Sequence, residues 1–319
     1  MSDRTPELER LYEAARRYCN WGKWGPDDEA GTLNYITPED IVSAARLIRK
    51  GRVFSLAIPF GASGPQRGGL RRFNPMHFML RDGSDVVVGA IPGMPPGIGG
   101  ADDVVILATH GATHWDALAH IIFDNKMWNG YEATRVSSLG ASKNSIMSYR
   151  NRIVGRGVLL DVPRAKGRKY LEPGYGITPA ELDETARAQG VAVGRGDIVL
   201  VRTGHIALCR ERGDWGDYAG GDAPGLTFET LGWLYEKQVA AVASDTWGVE
   251  VRPNELPTIN QPWHRVAIPQ IGLAVGEIFD LEELAEDCAA DGVYEFFVVA
   301  VPLPLENAVG GPVNPVAIK

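Results

Sequence analysis

The sequence predicts an α/β protein whose central sheet is mixed and partly parallel. Two observations support this fold class. Five short runs of Val, Ile, Leu and Phe are continuously apolar rather than alternating, as expected for strands that are covered on both faces. Well-marked helices lie between these runs, and strands that alternate with helices favour an α/β fold with parallel strand pairs.

The predicted strands follow the apolar runs, and the first predicted helix precedes them. Thr37 places a capping hydroxyl before Pro38 at the first helical position, and Gly51 ends the helix that runs to Lys50. In chain order the predicted strands are Val104–Thr109, Gly157–Val162, Asp197–Thr203, Val239–Ser244 and Tyr294–Pro302.

A second helix is marked by a fuller set of caps. Thr178 precedes Pro179, Glu181 completes a capping-box pattern with Thr178, and Gly190 closes the helix. Two further helices are predicted between the later strands: Thr227–Gln238, and Asp280–Ala290, which stops near Gly292.

The composition is that of a folded globular protein. The chain has 319 residues, of which 45% are hydrophobic and 23% are charged, and these proportions argue against disorder. Lys and Arg number 32 against 40 Asp and Glu, which gives a net charge of −8. An acidic chain without a stripe of Lys and Arg argues against nucleic acid as a partner.

The sequence also argues against a membrane protein and a secreted one. The longest apolar runs, at 104–108 and 296–305, are shorter than the ~20 residues that a membrane-spanning helix needs. The N-terminal segment is charged and has no apolar signal core. Cys19, Cys209 and Cys288 lie far apart, unlike a disulfide framework or a thiolate metal site. We therefore expect a cytoplasmic protein that does not bind membranes.

We predict a single domain over residues 1–319, of which residues 1–50 form a helical N-terminal extension. Two segments rich in Gly and Pro, Gly61–Gly69 and Gly89–Gly100, are too short for a domain linker. We interpret both as surface loops, and the alternative is a mobile lid or an arm that contacts a second copy.

Three of the six histidines fall within eleven residues, together with one aspartate. These are His110, His114, Asp116 and His120. Imidazole and carboxylate are the usual ligands of zinc and manganese. On one strand face, His110 and His120 would lie ~33 Å apart, and a helix would point Asp116 away from His110. Since metal–ligand bonds are ~2.1 Å long, a metal site requires the chain to bend, and Gly111 permits a bend.

A structural alternative is a strand end followed by a helix whose histidines only cap or hydrogen-bond. Polar side chains crowded after an apolar strand are costly to bury without a partner, so a metal site is favoured. Three other residues stay open. His77 reaches the site or is structural, His205 ends a strand-like run and is read as a loop residue, and Asp245 either supports a ligand or acts as a cap.

The histidine segment resembles the signature of the cyclase-type metal-dependent hydrolases, which include bacterial kynurenine formamidase and isatin hydrolase. That signature is His-x-Gly-Thr-His-x-Asp-x-Pro-x-His; here Ala112 replaces the glycine and Leu118 replaces the proline. These two differences change the freedom of the backbone and leave the ligand residues of the signature in place. Three later blocks also resemble the family: 157–161, 196–204, and Trp263-His264 followed by Gly276-Glu277.

The resemblance implies a metal-ligand set. His110, His114 and Asp116 would hold a first metal, and Asp116 would bridge to a second metal completed by His264 and Glu277. Family members use either one manganese or two zinc ions, so the number and identity of the ions stay open. The resemblance further implies the swivelling β/β/α architecture and a homo-oligomer, either a dimer or a tetramer.

His120 would be the general acid/base, and the chemistry of these residues agrees with that role. A divalent metal with open positions activates water and polarises a carbonyl, and an imidazole accepts and returns a proton near neutral pH. We therefore predict a metal-dependent hydrolase that uses metal-activated water to cleave a C–N bond in a small cyclic or aryl amide or imide. The alternatives are a lactone hydrolase, a lyase or cyclase, and a non-catalytic module that binds a metal or ligand.

Overall fold

A nine-stranded mixed sheet organises residues 5–319, the part of the chain that the computed structural model describes. The strands, in chain order, are β1 (Val53–Ser55), β2 (Met76–Arg81), β3 (Asp102–Ile106), β4 (His114–Asp116), β5 (Val136–Ser137), β6 (Gly140–Ala141), β7 (Val154–Asp161), β8 (Gly176–Ile177), β9 (Ile198–Arg202), β10 (Gly225–Leu226), β11 (Ala241–Ser244), β12 (Ala274–Glu277), β13 (Glu295–Val299), β14 (Gly310–Pro312) and β15 (Val316–Ile318).

The helices lie between these strands and before them. They are α1 (Pro6–Arg17), α2 (Pro38–Ala45), α3 (Gly83–Val87), α4 (Val162–Ala165), α5 (Pro179–Ala188), α6 (His205–Arg212), α7 (Thr230–Glu236), α8 (His264–Val266) and α9 (Glu282–Asp291). Short 3-10 turns occupy Gly31–Tyr35, Gly69–Arg71, Trp128–Gly130, Ala133–Arg135 and Ile146–Tyr149, and a π-helical turn spans Ala267–Ile271. In residues 5–319 we find no helix with the length and apolarity to cross a bilayer.

The sheet is parallel at its centre and antiparallel toward both edges. Its strand order is β1-β15-β13-β7-β9-β11-β12-β4-β14. The neighbours among β7, β9, β11 and β12 are parallel, and the other neighbours are antiparallel. The predicted α/β class with a mixed sheet core is confirmed.

The first predicted strand lies outside this sheet, and the expectation that both of its faces are covered was wrong. The run predicted at Val104–Thr109 forms β3, which pairs with β2 in a two-stranded hairpin. Val105 and Ile106 are each 48% exposed. Continuously apolar composition reports β propensity as well as burial, and four of the five residues of β3 are exposed. The other four predicted strands are β7, β9, β11 and β13 of the large sheet.

The helix caps follow the sequence more closely than the helix ends do. Thr178 and Glu181 make the expected reciprocal capping box at the start of α5. The first predicted helix ends at Ala45 rather than Lys50, because the chain then turns to pair with the C-terminus, where Lys50 N donates to the Lys319 carbonyl at 3.0 Å.

The start of α7 also differs from the prediction, because a hydrogen bond to another part of the chain holds its first predicted residue outside the helix. The helix begins at Thr230 rather than Thr227. The Thr227 hydroxyl donates to the carbonyl of Ile177 at 3.1 Å, and Thr227 is thereby held outside the helix beside β8. The last helix, α9, begins at Glu282 rather than Asp280 and stops before Gly292, as predicted; Gly292 adopts a left-handed conformation (φ 73°).

The N-terminal extension packs on the body of the protein. Within the described part of the extension, Asn20 Nδ2 donates to Ile271 O at 3.0 Å and Trp21 Nε1 donates to Pro269 O at 2.6 Å. Both contacts fall on the π-helical turn that follows α8. Residues 1–4 of the predicted extension lie outside the described residues, and the single-domain organisation stays a prediction.

Trp115 fixes how β4 faces the core. Its indole is fully buried, donates from Nε1 to Ala300 O at 2.8 Å, and packs edge-on against Phe279 at 5.2 Å between ring centroids. Successive side chains on a strand point to opposite faces, so His114 and Asp116 share the face opposite Trp115. The packing of one tryptophan therefore sets the direction of two polar neighbours.

Candidate metal centre

Strand pairing brings two distant parts of the sequence into contact. β4 and β12 are antiparallel, and their register places His114 directly opposite Glu277 and Asp116 opposite Val275. The Nε2 atom of His114 lies 3.3 Å from Glu277 Oε2 and 3.3 Å from Asp116 Oδ1. One cross-strand register thus gathers three of the predicted metal ligands.

The other two histidines of the signature reach the same point from the turns that flank β4. Turns close at Gly111 N to Ala108 O and at His120 N to Ala117 O, both at 2.8 Å. His110 Nε2 lies 3.4 Å from Asp116 Oδ1, and His120 Nε2 lies 4.0 Å from the same oxygen. The chain therefore bends on both sides of a three-residue strand, as the spacing required.

His264 joins the cluster through Glu277. It begins α8, and its Nε2 lies 3.2 Å from Glu277 Oε1. On its other side, Nδ1 lies 2.6 Å from Glu250 Oε1. All six residues predicted for the site, from His110 to Glu277, are therefore brought together in one cluster, in which five are buried and His120 is partly exposed.

The centre of the cluster contains buried polar atoms that lie close to one another but make no well-oriented hydrogen bond to any described residue. They are His110 Nε2, His114 Nε2 and both carboxylate oxygens of Asp116. His114 Nδ1 donates to Ala112 O at 2.8 Å, which directs Nε2 toward the cluster. Lone pairs and a carboxylate that are buried without a partner are costly, and a divalent cation would satisfy all four atoms. The donor set thus fits a metal.

Two overlapping trios have the spacing of metal ligands, with ligand atoms within 4.8 Å of one another. They are His110-Asp116-His120 and His114-Asp116-Glu277. Asp116 belongs to both trios, which is the arrangement expected of a bridging carboxylate. His120 is close enough to serve as a ligand, and with a side chain 23% exposed it is also open to solvent. The separate roles that the resemblance implies for these residues stay predictions.

Carboxylates raise the pKa values of two histidines in the metal-free chain. Burial alone would lower the pKa of His114, but Asp116 and Glu277 raise it to about 9. Against the same effect of burial, Glu250 and Glu277 raise the pKa of His264 to about 10. The pKa of Glu277 is lowered despite its burial, because both imidazoles contact it. A metal ion must displace these protons when it binds.

The net pKa shift of the other two histidines, His110 and His120, is downward. Burial lowers the pKa of His120 below its ordinary value and that of His110 well below it, and the positive charge of Arg72 acts in the same direction on both. His120 is therefore neutral at pH 7 and can accept a proton, whereas His110 is neutral and offers a lone pair.

The metal-free protein is expected to lose free energy of unfolding between pH 7 and pH 10. The folded-state pKa values of His114 and His264 lie above the ordinary value of 6.5, so their contribution to stability is complete below about pH 6.5 and is lost as the pH rises through 9 and 10. Urea unfolding in EDTA measures this loss. Zinc-loaded protein, in which both imidazoles are neutral, should not show it. A stability in EDTA that is constant over this range contradicts the assignment.

Gly310 is required where β14 passes the cluster. It pairs with Asp116, and a Cβ at this position would overlap the His110 imidazole ring. Gly310→Ala is expected to displace that ring and to weaken metal affinity by roughly 10- to 100-fold, the range seen when groups that orient a metal ligand are changed. Calorimetric zinc titration measures the affinity. Gly61→Ala is the control, because a Cβ at Gly61 meets open space. Unchanged affinity in Gly310→Ala would show that His110 is not a ligand.

The three residues that sequence analysis left open lie outside both trios. His77 is half exposed on β2 and pairs with Asp103 at 2.9 Å. His205 is buried at the start of α6. Asp245 accepts hydrogen bonds from the backbone N and the hydroxyl of Thr203 at 2.7 and 2.8 Å, so it orders the turn after β9 in the manner of a cap.

Sequence analysis missed two charged residues at the site. Glu250 follows β11, and its neighbours Val249 and Val251 are apolar; a carboxylate flanked by valines is a signal of a buried charge. Arg72 has no such signal, because it lies among several arginines in a loop. Its Nη1 is 4.0 Å from Glu277 Oε2.

Comparisons with known proteins agree with this fold. The family model described as a putative cyclase matches residues 31–251. A crystal structure described as a novel cyclase is 40% identical to the chain, covers 95% of this chain and 100% of its own, and superposes with a TM-score of 0.86. Among the curated proteins, none matches the sequence.

Two isatin hydrolase structures are similar at lower identity. One, bound to the product analogue thioisatinate, is 16% identical over 88% of this chain and 98% of its own, with a TM-score of 0.58. Isatin hydrolase A from Ralstonia solanacearum is 18% identical over 89% and 98%, with a TM-score of 0.59. At these identities they show the fold, and the predicted fold class, including the architecture of the cyclase-type hydrolases, is confirmed.

Proposed function

The chain belongs to the cyclase family, and on that premise we propose that it is a metal-dependent hydrolase that cleaves a C–N bond in a small cyclic or aryl amide or imide. One observation carries the proposal: His110 Nε2 and His114 Nε2, both buried and without a hydrogen bond, lie 3.4 and 3.3 Å from Asp116 Oδ1. The isatin hydrolases of similar fold support a cyclic or aryl substrate.

The residues of the site hold and orient a divalent metal, which when bound supplies a Lewis acid and a water of lowered pKa. His110, His114, Asp116, His264 and Glu277 are the ligands that we propose. The Nδ1 atoms of His114 and His264 are fixed by Ala112 O and Glu250, so both Nε2 atoms face the cluster. Such outer contacts fix ring orientation and raise the basicity of the ligand.

His120 is the residue that we propose to move the proton. Its imidazole is neutral at pH 7 because burial lowers its pKa, and it is the histidine of the signature most open to solvent. Nε2 can accept a proton from the attacking water and donate it to the leaving nitrogen, so that one group serves both halves of the reaction.

Metal removal and replacement test the proposal. Purified protein is expected to contain zinc or manganese, to lose hydrolysis of N-formylaniline or isatin in chelator, and to recover it when one of the two metals is added back. Metal content is measured on the same samples by mass spectrometry. A protein that binds the metal and hydrolyses lactones but neither amide nor imide would contradict C–N cleavage, and one that turns over none of them would be a binding module.

Other expectations stay predictions. The choice between zinc and manganese, and between one ion and two, is decided by metal content and by activity after add-back. Imidazole and carboxylate ligands suit both metals, so the ligand set alone does not choose. Assembly into a dimer or tetramer is measured by light scattering on the purified chain.

A further inference from the structure

A loop is anchored beside the metal centre. The loop from Gly61 to Asn74 is closed at its base, where Gln66 N donates to Asn74 Oδ1 at 2.8 Å and Asn74 Nδ2 donates to Gln66 O at 3.2 Å. The Gln66 side chain then donates to the carbonyl of Gly111, next to His110, at 3.0 Å. The segment that was read as a plain surface loop is therefore fixed to the metal-binding segment at this point.

Arg72 extends from this loop toward the cluster. Leu70 and Arg71 adopt left-handed backbone conformations (φ 52° and 61°), which are costly for residues other than glycine. After this turn the Arg72 side chain is only 13% exposed, while Arg71 remains exposed. The Arg72 guanidinium stacks on the Trp247 ring, with 5.0 Å between the guanidinium carbon and the ring centroid.

The Arg72 guanidinium has no hydrogen-bond acceptor among residues 5–319. The nearest carboxylate oxygen, Glu277 Oε2, lies 4.0 Å from Nη1, which is too far for a hydrogen bond. That carboxylate is already held by His114 and His264. A guanidinium that is mostly removed from water and makes no hydrogen bond is costly, and its planar fork matches a carboxylate.

Arg72 raises the formal charge of the site by one unit. Three buried carboxylates, Asp116, Glu250 and Glu277, contact the histidines of the cluster and carry a charge of −3. One divalent ion leaves the site at −1, which repels an anion, and Arg72 makes it neutral. With two ions, Arg72 makes a positive site more positive. In both cases Arg72 makes the site more favourable to an anion.

We propose that Arg72 binds a carboxylate of the substrate, so that this site takes acidic small molecules in preference to neutral ones. The inference rests on the proposed function, because it concerns the substrate of the same hydrolase. Arg72 fixes one end of the substrate through two parallel N–H bonds, while the amide lies at the metal ligands. The loop that carries Arg72 thereby selects the substrate by its charge.

A matched pair of substrates tests the proposal in the metal-loaded full chain. N-formylanthranilate carries a carboxylate that N-formylaniline lacks, and both contain the same aryl amide. Arg72→Gln is expected to lower kcat/KM for N-formylanthranilate by roughly 10- to 100-fold, as loss of a charge-assisted hydrogen bond implies. Because Arg72 also lowers the pKa of His120, both rates are compared at pH 8, where His120 is neutral in either protein, and kcat/KM for N-formylaniline should then change by less than about 3-fold. Arg72→Lys, which keeps the charge without the fork, should lie between Arg72→Gln and wild type.

The control is Arg67→Gln, which removes the same charge from the same loop. The Arg67 side chain is 56% exposed and pairs with Asp217, and neither residue belongs to the ligand trios, so both rates should stay at wild-type values. Equal losses on both substrates in Arg72→Gln, or a lower metal content, would overturn the proposal, because Arg72 would then act on the reacting carbonyl or on the metal. If Arg72→Gln does not fold, an Arg72→Lys variant with an unchanged ratio of the two rates overturns it equally.

A measurement of ligand binding tests the role of Arg72 independently of the proposed hydrolase activity. Benzoate is expected to bind the metal-loaded protein, and Arg72→Gln should weaken its Kd by roughly 10-fold or more, measured by calorimetry. If the wild type hydrolyses neither amide, the proposed function fails, and the benzoate titration still decides whether Arg72 holds a carboxylate. Equal benzoate affinity in wild type and Arg72→Gln would overturn the assignment whatever the activity.

Discussion

Asp116→Asn is expected to abolish both metal retention and hydrolysis. Asp116 belongs to both ligand trios, and both of its carboxylate oxygens are buried without a hydrogen-bond partner. Binding energies of about 10–16 kcal/mol for four-ligand zinc sites give about 3 kcal/mol per ligand, or roughly 100-fold in Kd. Because Asp116 serves two trios, the loss should be at least this large.

Metal content and thermal unfolding measure the effect of Asp116→Asn. Added zinc should raise the Tm of the wild type, since a ligand at 100 times its Kd stabilises by about 2.7 kcal/mol. The variant should show no such rise at the same zinc concentration. Asp217→Asn is the control, because that side chain is 92% exposed and lies outside the cluster. An Asp116→Asn protein that keeps wild-type metal content would show that the metal lies elsewhere.

His120→Ala is expected to lower kcat by roughly 10²- to 10⁴-fold while metal content stays unchanged, the usual effect of removing a general acid/base. In the wild type, the lowered pKa of His120 sets an acidic limb in the pH profile of kcat/KM below its ordinary value of 6.5. This limb should disappear in the variant, and added imidazole should restore part of the activity.

A matched histidine on the surface controls for the loss of an imidazole. His77→Ala removes a half-exposed ring on β2 that pairs with Asp103, and it should retain wild-type kcat and metal content. His120 also belongs to a trio that has the spacing of metal ligands, so the alternative role for His120 is metal binding. If His120→Ala loses its metal together with its activity, His120 is a ligand, and the proton must be carried by another group.

The local sequence predicted most of the site because its residues are concentrated in one segment. His110, His114, Asp116 and His120 lie within eleven residues, and the only geometric requirement was a bend. Glu277 was harder to place, since its contact with His114 depends on the register between β4 and β12, which are separated by roughly half of the chain. The prediction that His264 and Glu277 are ligands came from the family resemblance.

The sequence predicted less about which strands are exposed and about the loop that carries Arg72. The apolar run at β3 reads as a core strand, yet its position in a hairpin outside the large sheet depends on tertiary packing that local composition does not encode. Arg72 is one of several arginines in its loop, and only the left-handed turn before it distinguishes it from exposed Arg71. Long-range packing decides which of these charges faces the cluster.

The central claim is that the buried cluster around Asp116 holds a divalent metal. Anomalous diffraction at the zinc or manganese edge, from crystals of metal-loaded protein, tests it most directly. We predict a peak at roughly 2.0–2.2 Å from His114 Nε2 and from a carboxylate oxygen of Asp116, the distances of ordinary metal–ligand bonds. A map with its metal peak elsewhere in the protein, or with no peak at all after loading, would contradict the account.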